Sequence, residues 1–198
     1  VYYMWYSTDH EVGDGGIALA TAPSPLGPWT DSGVVYVDTT GPGSQTETPW
    51  VVWNDVTQQF FMYYQQYQAG GIGQQSTLLA KSSDGETFVR HGIVIDVPAL
   101  AEFPGDGHTG YAKVFRIGGL WLAYHLLGGT NYAHMGMAYS YDGEEFVLDP
   151  RPLGAAIPAS GDATRRVNWH GTNLVRINGI LWWLGALQQF VSGGATVD

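Results

Sequence analysis

The chain contains no cysteine, which removes disulfides as staples and thiolates as metal ligands and leaves the redox compartment open. Cations are scarce: 8 Lys and Arg stand against 18 Asp and Glu, for a formal net charge of -10. A surface of that sign repels phosphate polyanions, so neither nucleic acid nor an anionic membrane is expected as a partner. There is no run of about 18 apolar residues, so no membrane-spanning helix is expected. Nor is a signal peptide visible. The chain opens on "VYYMWYS", without an initiator Met and already inside a strand-like pattern, so a continuation upstream is expected. Also missing are a P-loop, a dinucleotide fingerprint, a serine nucleophile elbow and an HExxH pair. The glycine-rich "GGIGQQS" (70–76) has no helical pattern after it, so it is a loop and no phosphate cradle.

What is abundant is aromatic: 8 Trp and 12 Tyr exceed what a core of this size needs, and such rings suit sugar faces as well as packing. They recur. "YYMWYS" (2–7), "FFMYYQ" (60–65), "LWLAYH" (120–125) and "LWWLGA" (181–186) follow one another at spacings of 58, 60 and 61 residues. The last three are each preceded by a strand-like run and a turn, in "TPWVVWNDVTQQF", "GYAKVFRIGGLW" and "GTNLVRINGILW". Gly118-Gly119 and Asn178-Gly179 are two-residue hairpin signals. A third strand is expected in "GIALATA" (16–22), "STLLAKS" (76–82) and "HMGMAYS" (134–140). A fourth follows the Asp-Gly turns of "SDGETFV" (83–89) and "YDGEEFV" (141–147), while the first copy has "PSPLGPW" (23–29) instead.

Helical periodicity is absent throughout. The pattern predicts an all-β fold, a β-propeller of four-stranded antiparallel blades. Apolar inner strands fit, because each blade packs both faces against neighbours. A single propeller domain over 1–198 is expected, with units at about 1–40, 41–100, 101–158 and 159–198. That is about three to three and a half blades, where propellers usually have four to eight. Incompleteness at both ends is expected, the alternative being a homo-oligomer in which several copies close the ring.

"GIALATAPSPLGPWTDSG" (16–33) resembles the blade that ends in a "PLGPW" turn in glycoside hydrolase family 43. "ETPWVVWND…FFMYY" is similar to the glutamate-bearing blade of that family and of families 32, 62 and 68, and "SDGETF" and "YDGEEF" are similar to their S-x-DG turns. The resemblance implies a five-bladed propeller acting on plant, algal or microbial glycosides from a funnel on the axis. It implies three acids: an Asp base, a second Asp that tunes pKa, and a Glu general acid in an E-x-P context. Glu47, in "ETP", matches the last of these, and the positions of both aspartates would precede Val1. Inversion by direct attack of water, with acid and base carboxyls about 6.5–9.5 Å apart, is the family expectation. No cofactor is required, although the family's axial histidine implies that His108 could help to hold a calcium or sodium ion.

Propeller topology sorts the polar residues. Loops from strand two to three, and from strand four to the next strand one, share the mouth of the funnel. Glu47, Asp106, His108, Asn168 and His170 are expected there, with Asp9, His10, Glu11, Tyr67, His125, Asn131 and Gln188 at the rim. Asp55 and Asn178 fall at the opposite end. Aligning the aromatic runs sets Glu47 beside Thr109 and His170. Glu47 is the candidate catalytic acid, with substrate-binding carboxylate and strand-opening structural residue as the other readings. Trp50, His108, Tyr111, Trp169 and His170 are candidate sugar contacts, the aromatics equally able to fill the hub. His108, His170 and Asp106 form a weak zinc-like set, and His125 and His134 suit satisfied blade positions. Arabinose, xylose, galactose and fructose units all remain open as substrates, and a carbohydrate-binding propeller without hydrolysis is the competing function. A secreted or periplasmic protein would suit either, and the composition does not choose a compartment.

Overall fold

The computed structural model describes residues 1–9, 15–41, 45–67, 75–96, 108–127, 134–153, 165–190 and 196–197. No helix occurs among them. Blade I comprises β1 (Tyr2–Ser7), β2 (Ile17–Ala22) and β3 (Thr30–Tyr36). Blade II comprises β4 (Glu47–Asn54), β5 (Gln59–Tyr67), β6 (Gln75–Ser82) and β7 (Val89–Ile95). Blade III comprises β8 (Lys113–Ile117), β9 (Leu120–Leu127), β10 (His134–Ser140) and β11 (Val147–Leu153). Blade IV has β12 (Arg165–Ile177), β13 (Ile180–Phe190) and the short β14 (Thr196–Val197), so the third strand of the last unit begins inside "SGGATVD". In every sheet the strands pair antiparallel in chain order.

The apolar run of β5 is continuous because both of its faces are covered. Phe61 and Tyr63 pack with Ala112, Val114, Trp121 and Ala123 of blade III. Met62 and Tyr64 point the other way, to Ile17 and Tyr36 of blade I. The period-2 alternation of the strand therefore separates two neighbouring blades, where in an ordinary sheet it would separate core from solvent.

Two hydrogen bonds recur from blade to blade. Trp5 Nε1 donates to the Gly85 carbonyl of blade II (2.9 Å), and Tyr63 OH donates to the Gly143 carbonyl of blade III (2.8 Å). Trp5 and Tyr63 hold the same place on their strands, and both carbonyls belong to the Ser-x-Asp-Gly turns. In those turns Ser82 and Ser140 accept the amides of Gly85 and Gly143, and Asp84 and Asp142 accept the next two amides. A Cβ on Gly143, at φ +82°, would stand 3.0 Å from both the Trp121 ring and Tyr63 Oη, so the turn is shaped for the neighbour it receives. Tyr63→Phe leaves the buried Gly143 carbonyl unpaired and is expected to cost about 1–2 kcal/mol. A urea titration checks it, with an unchanged m-value as the sign that only stability moved.

The second recurring bond sits at the mouth. Thr48 N donates to Ser7 Oγ of blade I (2.8 Å), and Tyr111 N donates to Gln65 Oε1 of blade II (2.9 Å). Thr48 and Tyr111 both have φ of 55°, an uncommon conformation for non-glycine residues, which turns each amide out of its own ladder.

This equivalence corrects the alignment of the aromatic runs. The last ladder pair is Asn54–Gln59 in blade II and Ile117–Leu120 in blade III, because a four-residue turn closes the first hairpin and two residues close the second. Phe60 therefore corresponds to Trp121 where the sequence runs matched it to Leu120, and Glu47 corresponds to Gly110 where they matched it to Thr109. A one-residue slip in a strand exchanges its faces, so the Glu47 position in blade III is held by Gly110, which has no side chain, and Thr109 belongs to the other face.

Candidate active site

The segment between β3 and β4 delivers Glu47 to the mouth, and a buried carboxylate anchors it. Asp38 is 2% exposed. Its Oδ1 accepts Thr40 N (3.0 Å) and Thr40 Oγ1 (2.6 Å), while its Oδ2 accepts Tyr64 OH (2.6 Å) and Arg90 Nε (2.9 Å). Its backbone is held as well: Asp38 N donates to Thr46 Oγ1 (2.8 Å), and Gln66 Nε2 donates to the Asp38 carbonyl (2.7 Å). Burial works against the Asp38 charge, but the bonds from Thr40, Tyr64 and Arg90 outweigh it and hold the carboxyl below the usual range. Tyr36 OH lies 3.0 Å from Tyr64 OH, and burial pushes Tyr36 up to about 12. With both oxygens bonded twice, Asp38 is an anchor for the chain leading to Glu47.

Glu47 is 2% exposed. Its Oε1 accepts two amides, Gln45 Nε2 and Gln65 Nε2, each at 2.7 Å. Gln65 Oε1 in turn accepts Tyr111 N, so one side chain spans from the carboxylate to the neighbouring blade. Room for that span comes from Gly110, where a Cβ would stand 2.2 Å from Gln65 Oε1 and 2.7 Å from His108 Cε1. His108 Nδ1 accepts Gly110 N (3.0 Å), and the ring stacks on Tyr111 with centroids 5.5 Å apart. His108 also bridges Gln75 at the start of β6, and Thr109 N donates to the Gln75 carbonyl (2.8 Å). The start of β6 and the residues that lead into β8 therefore meet at one end, as the topology required.

The structure brings Glu47, His108 and Tyr111 together and adds Gln45 and Gln65, which the sequence reading missed. The available signal was a pair of amides, Gln65-Gln66, at the end of an apolar strand, and a Gln two residues before the acid. Trp50 is committed to packing. Its Nε1 donates to the Val114 carbonyl (2.6 Å), Lys113 Nζ lies 4.9 Å from the ring centroid, and Phe115 packs at 5.3 Å. Trp169 and His170 lie on β12 within the register shift between Asn168 and Asn173. Their side chains, like those of His134 and Gln188, are outside the described ones, and so are residues His10, Glu11, Asp106 and Asn131 altogether. Asp55 pairs with Arg116 at the far end, across blades II and III.

Because Nδ1 accepts the Gly110 amide, the neutral His108 ring has its hydrogen on Nε2. Among the described residues no group of three or more His, Asp or Glu side chains is placed to hold a metal ion. A cleft of about 520 Å³ on the outer side of blade II, lined by Lys81, Asp84, Arg90 and His91, is remote from this chemistry. Its cations are engaged, Lys81 by Glu144 (2.6 Å) and Arg90 by Asp38.

His125 is interior to β9 and 2% exposed, so it is a blade residue and does not rim the mouth. Its Nδ1 donates to the Leu126 carbonyl (2.8 Å), its Nε2 has no partner among the described residues, and burial lowers its pKa from 6.5 to about 4. The unfolded chain thus takes up this proton first. Stability is complete above about pH 6.5 and declines as pH falls to about 4, by up to roughly 3 kcal/mol. Urea midpoints at pH 7 and pH 4.5 measure the decline, and His125→Leu should flatten it.

No protein-family model matches the chain, and no curated protein sequence does. Solved structures do. A thermostable family-43 glycoside hydrolase superposes with a TM-score of 0.69 at 14% identity, over 98% of this chain and 69% of its own. A family 117 glycoside hydrolase produced by the marine bacterium Zobellia galactanivorans gives 0.65 at 17% identity, over 92% of this chain and 54% of its own. An exo-β-1,3-galactanase from Clostridium thermocellum gives 0.68 at 14%, over 100% of this chain and 45% of its own. The chain therefore spans about half to two-thirds of the lengths of these three proteins. What is shared at these identities is architecture: this chain has the β-propeller fold on which glycoside hydrolases of families 43 and 117 are built.

Proposed function

We propose that this chain is the glutamate-bearing part of a glycosidase that cleaves oligo- or polysaccharide glycosidic bonds by acid/base catalysis in the axial funnel. The observation that supports this reading is Glu47: a carboxylate opening the innermost strand of its blade at the mouth, with one oxygen held by two amides. Glu47 protonates the leaving oxygen. His108 offers a donor to a sugar hydroxyl, and the Tyr111 ring stacked on it gives an apolar face for a pyranose. His170 and Trp169 contribute sugar contacts from blade IV. Trp50 supports the site from between the blades.

The test is the dependence of the Glu47→Gln variant on the leaving group, measured on the natural full-length protein with aryl and alkyl glycosides of arabinose, xylose and galactose. The 2% exposure of Glu47 favours a second reading, a carbohydrate-binding propeller without hydrolysis. In that case the wild type turns over none of these probes, and Glu47→Gln changes only oligosaccharide affinity in a calorimetric titration.

A further inference from the structure

We propose that Lys113 binds a singly charged anion, a carboxylate above all, between the innermost strands of blades II and III. Lys113 is the first residue of β8, and its ammonium lies 4.9 Å from the centroid of the Trp50 ring. That ring comes from β4 and is laid across β8 by the bond from its Nε1 to the Val114 carbonyl (2.6 Å). Phe115, on the same face of β8 as Lys113, packs on the indole at 5.3 Å. The cation is therefore fixed over an aromatic plane where two blades meet.

It has no counter-charge. The other Lys and Arg side chains among the described ones each pair with a carboxylate: Lys81 with Glu144, Arg90 with Asp38 and Arg116 with Asp55. Lys113 has neither an ion pair nor a hydrogen bond among the described residues, and burial lowers its pKa with no carboxylate acting against it. The indole face offsets part of the cost of burying the charge. It meets one side of a tetrahedral ammonium, which leaves N–H donors directed away from the ring.

Packing does not account for a cation here. The ladder pairs Trp50–Tyr63 and Lys113–Tyr124 put Lys113 at the place on β8 that Trp50 holds on β4. Blade II fills that place with an apolar ring, so the charge in blade III answers to something other than volume. One ammonium balances one negative charge, and a chain of net charge -10 repels multiply charged ions, which selects a monoanion. Carboxylate oxygens suit the unused N–H donors through charge-assisted bonds. Lys113 follows Gly110, the counterpart of Glu47, along the chain and so lies deeper than the mouth. A carboxylate reaches it either as a free small ion or as part of an acidic sugar that enters past Glu47. The site is independent of the acid role proposed for Glu47.

The experiment follows the Trp50 indole N–H in ¹H–¹⁵N spectra of the natural full-length protein, assigned from the signal lost in Trp50→Phe. The Trp5 indole, bonded to the Gly85 carbonyl between blades I and II, is the internal control. Sodium formate added in low-salt buffer should move the Trp50 signal to saturation in the millimolar range, while Trp5 reports only the general effect of salt. Lys113→Met keeps an unbranched chain against the ring and removes the charge. It should weaken binding roughly tenfold or more, the weight of one charge-assisted hydrogen bond. An unchanged response in folded Lys113→Met overturns the proposal. If that variant does not fold, the wild type decides: a Trp50 signal that moves no more than Trp5 with formate and with D-glucuronate overturns it.

D-glucuronate and D-glucose separate the sources. A response to glucuronate and none to glucose puts an acidic sugar at Lys113. A response to formate and none to glucuronate assigns the site to a free small anion. Both outcomes support the anion site. Equal responses to glucuronate and glucose mean that the sugar is recognised without its charge, and they overturn it.

Discussion

Glu47→Gln is expected to lower kcat on an alkyl glycoside by roughly 10²–10⁴-fold and to leave a 2,4-dinitrophenyl glycoside of the same sugar nearly untouched. The contrast follows from what a general acid does. An alkoxide is a poor leaving group and departs only with a proton, whereas dinitrophenolate departs without one. Glutamine keeps the size of the side chain and a carbonyl oxygen able to accept the Gln45 and Gln65 amides, so the site keeps its shape and KM should hardly move. Equal losses on both substrates would show that the carboxylate acts through charge or binding instead of proton transfer. Full activity on the alkyl glycoside would remove Glu47 from the acid role.

Asp38→Ala is expected to destabilise the fold by roughly 3–5 kcal/mol, the scale on which breaking one side of a buried ion pair is felt. The loss has several sources. Arg90 gives up its partner, although its own side chain is 36% exposed and water relieves part of that cost. Tyr64 OH and Thr40 Oγ1 lose their acceptor, and the segment that carries Gln45, Thr46 and Glu47 loses its anchor. Against a total stability of about 5–15 kcal/mol, this is a large fraction. Asp38→Asn keeps the volume and one acceptor oxygen and should fall between wild type and Ala in urea unfolding. The depressed Asp38 carboxyl also has a pH signature of the ordinary acid kind. Its contribution is present above the unfolded carboxylate pKa near 4 and is lost as pH falls through the lower folded value. That loss begins where the decline due to His125 ends.

The strands, their order within each blade and the end of the propeller that receives Glu47 were legible in the chain. Aromatic runs at near-constant spacing, Gly-Gly and Asn-Gly hairpins and Ser-x-Asp-Gly turns are local signals, each tied to a backbone conformation that few residues adopt. The Ser-x-Asp-Gly turns recur as hydrogen-bonded units for that reason. Register between blades was legible only to within one residue. The aromatic runs match equally well when slid by one, and only the ladder pairs at turns of different length show that Glu47 answers to Gly110.

What the sequence determined by itself is the all-β blade pattern and the presence of one acid before a proline at an inner-strand start. Both depend on neighbours along the chain, through alternation, turn chemistry and spacing. What only the tertiary structure decided is the company that acid keeps. Gln45, Gln65, Gly110 and Tyr111 converge on it from two blades, and Asp38 is buried under Thr40, Tyr64 and Arg90. These are contacts between residues far apart in sequence. Amides and tyrosines carry no periodic signal that would announce them, so their partners emerge only when the blades pack face to face.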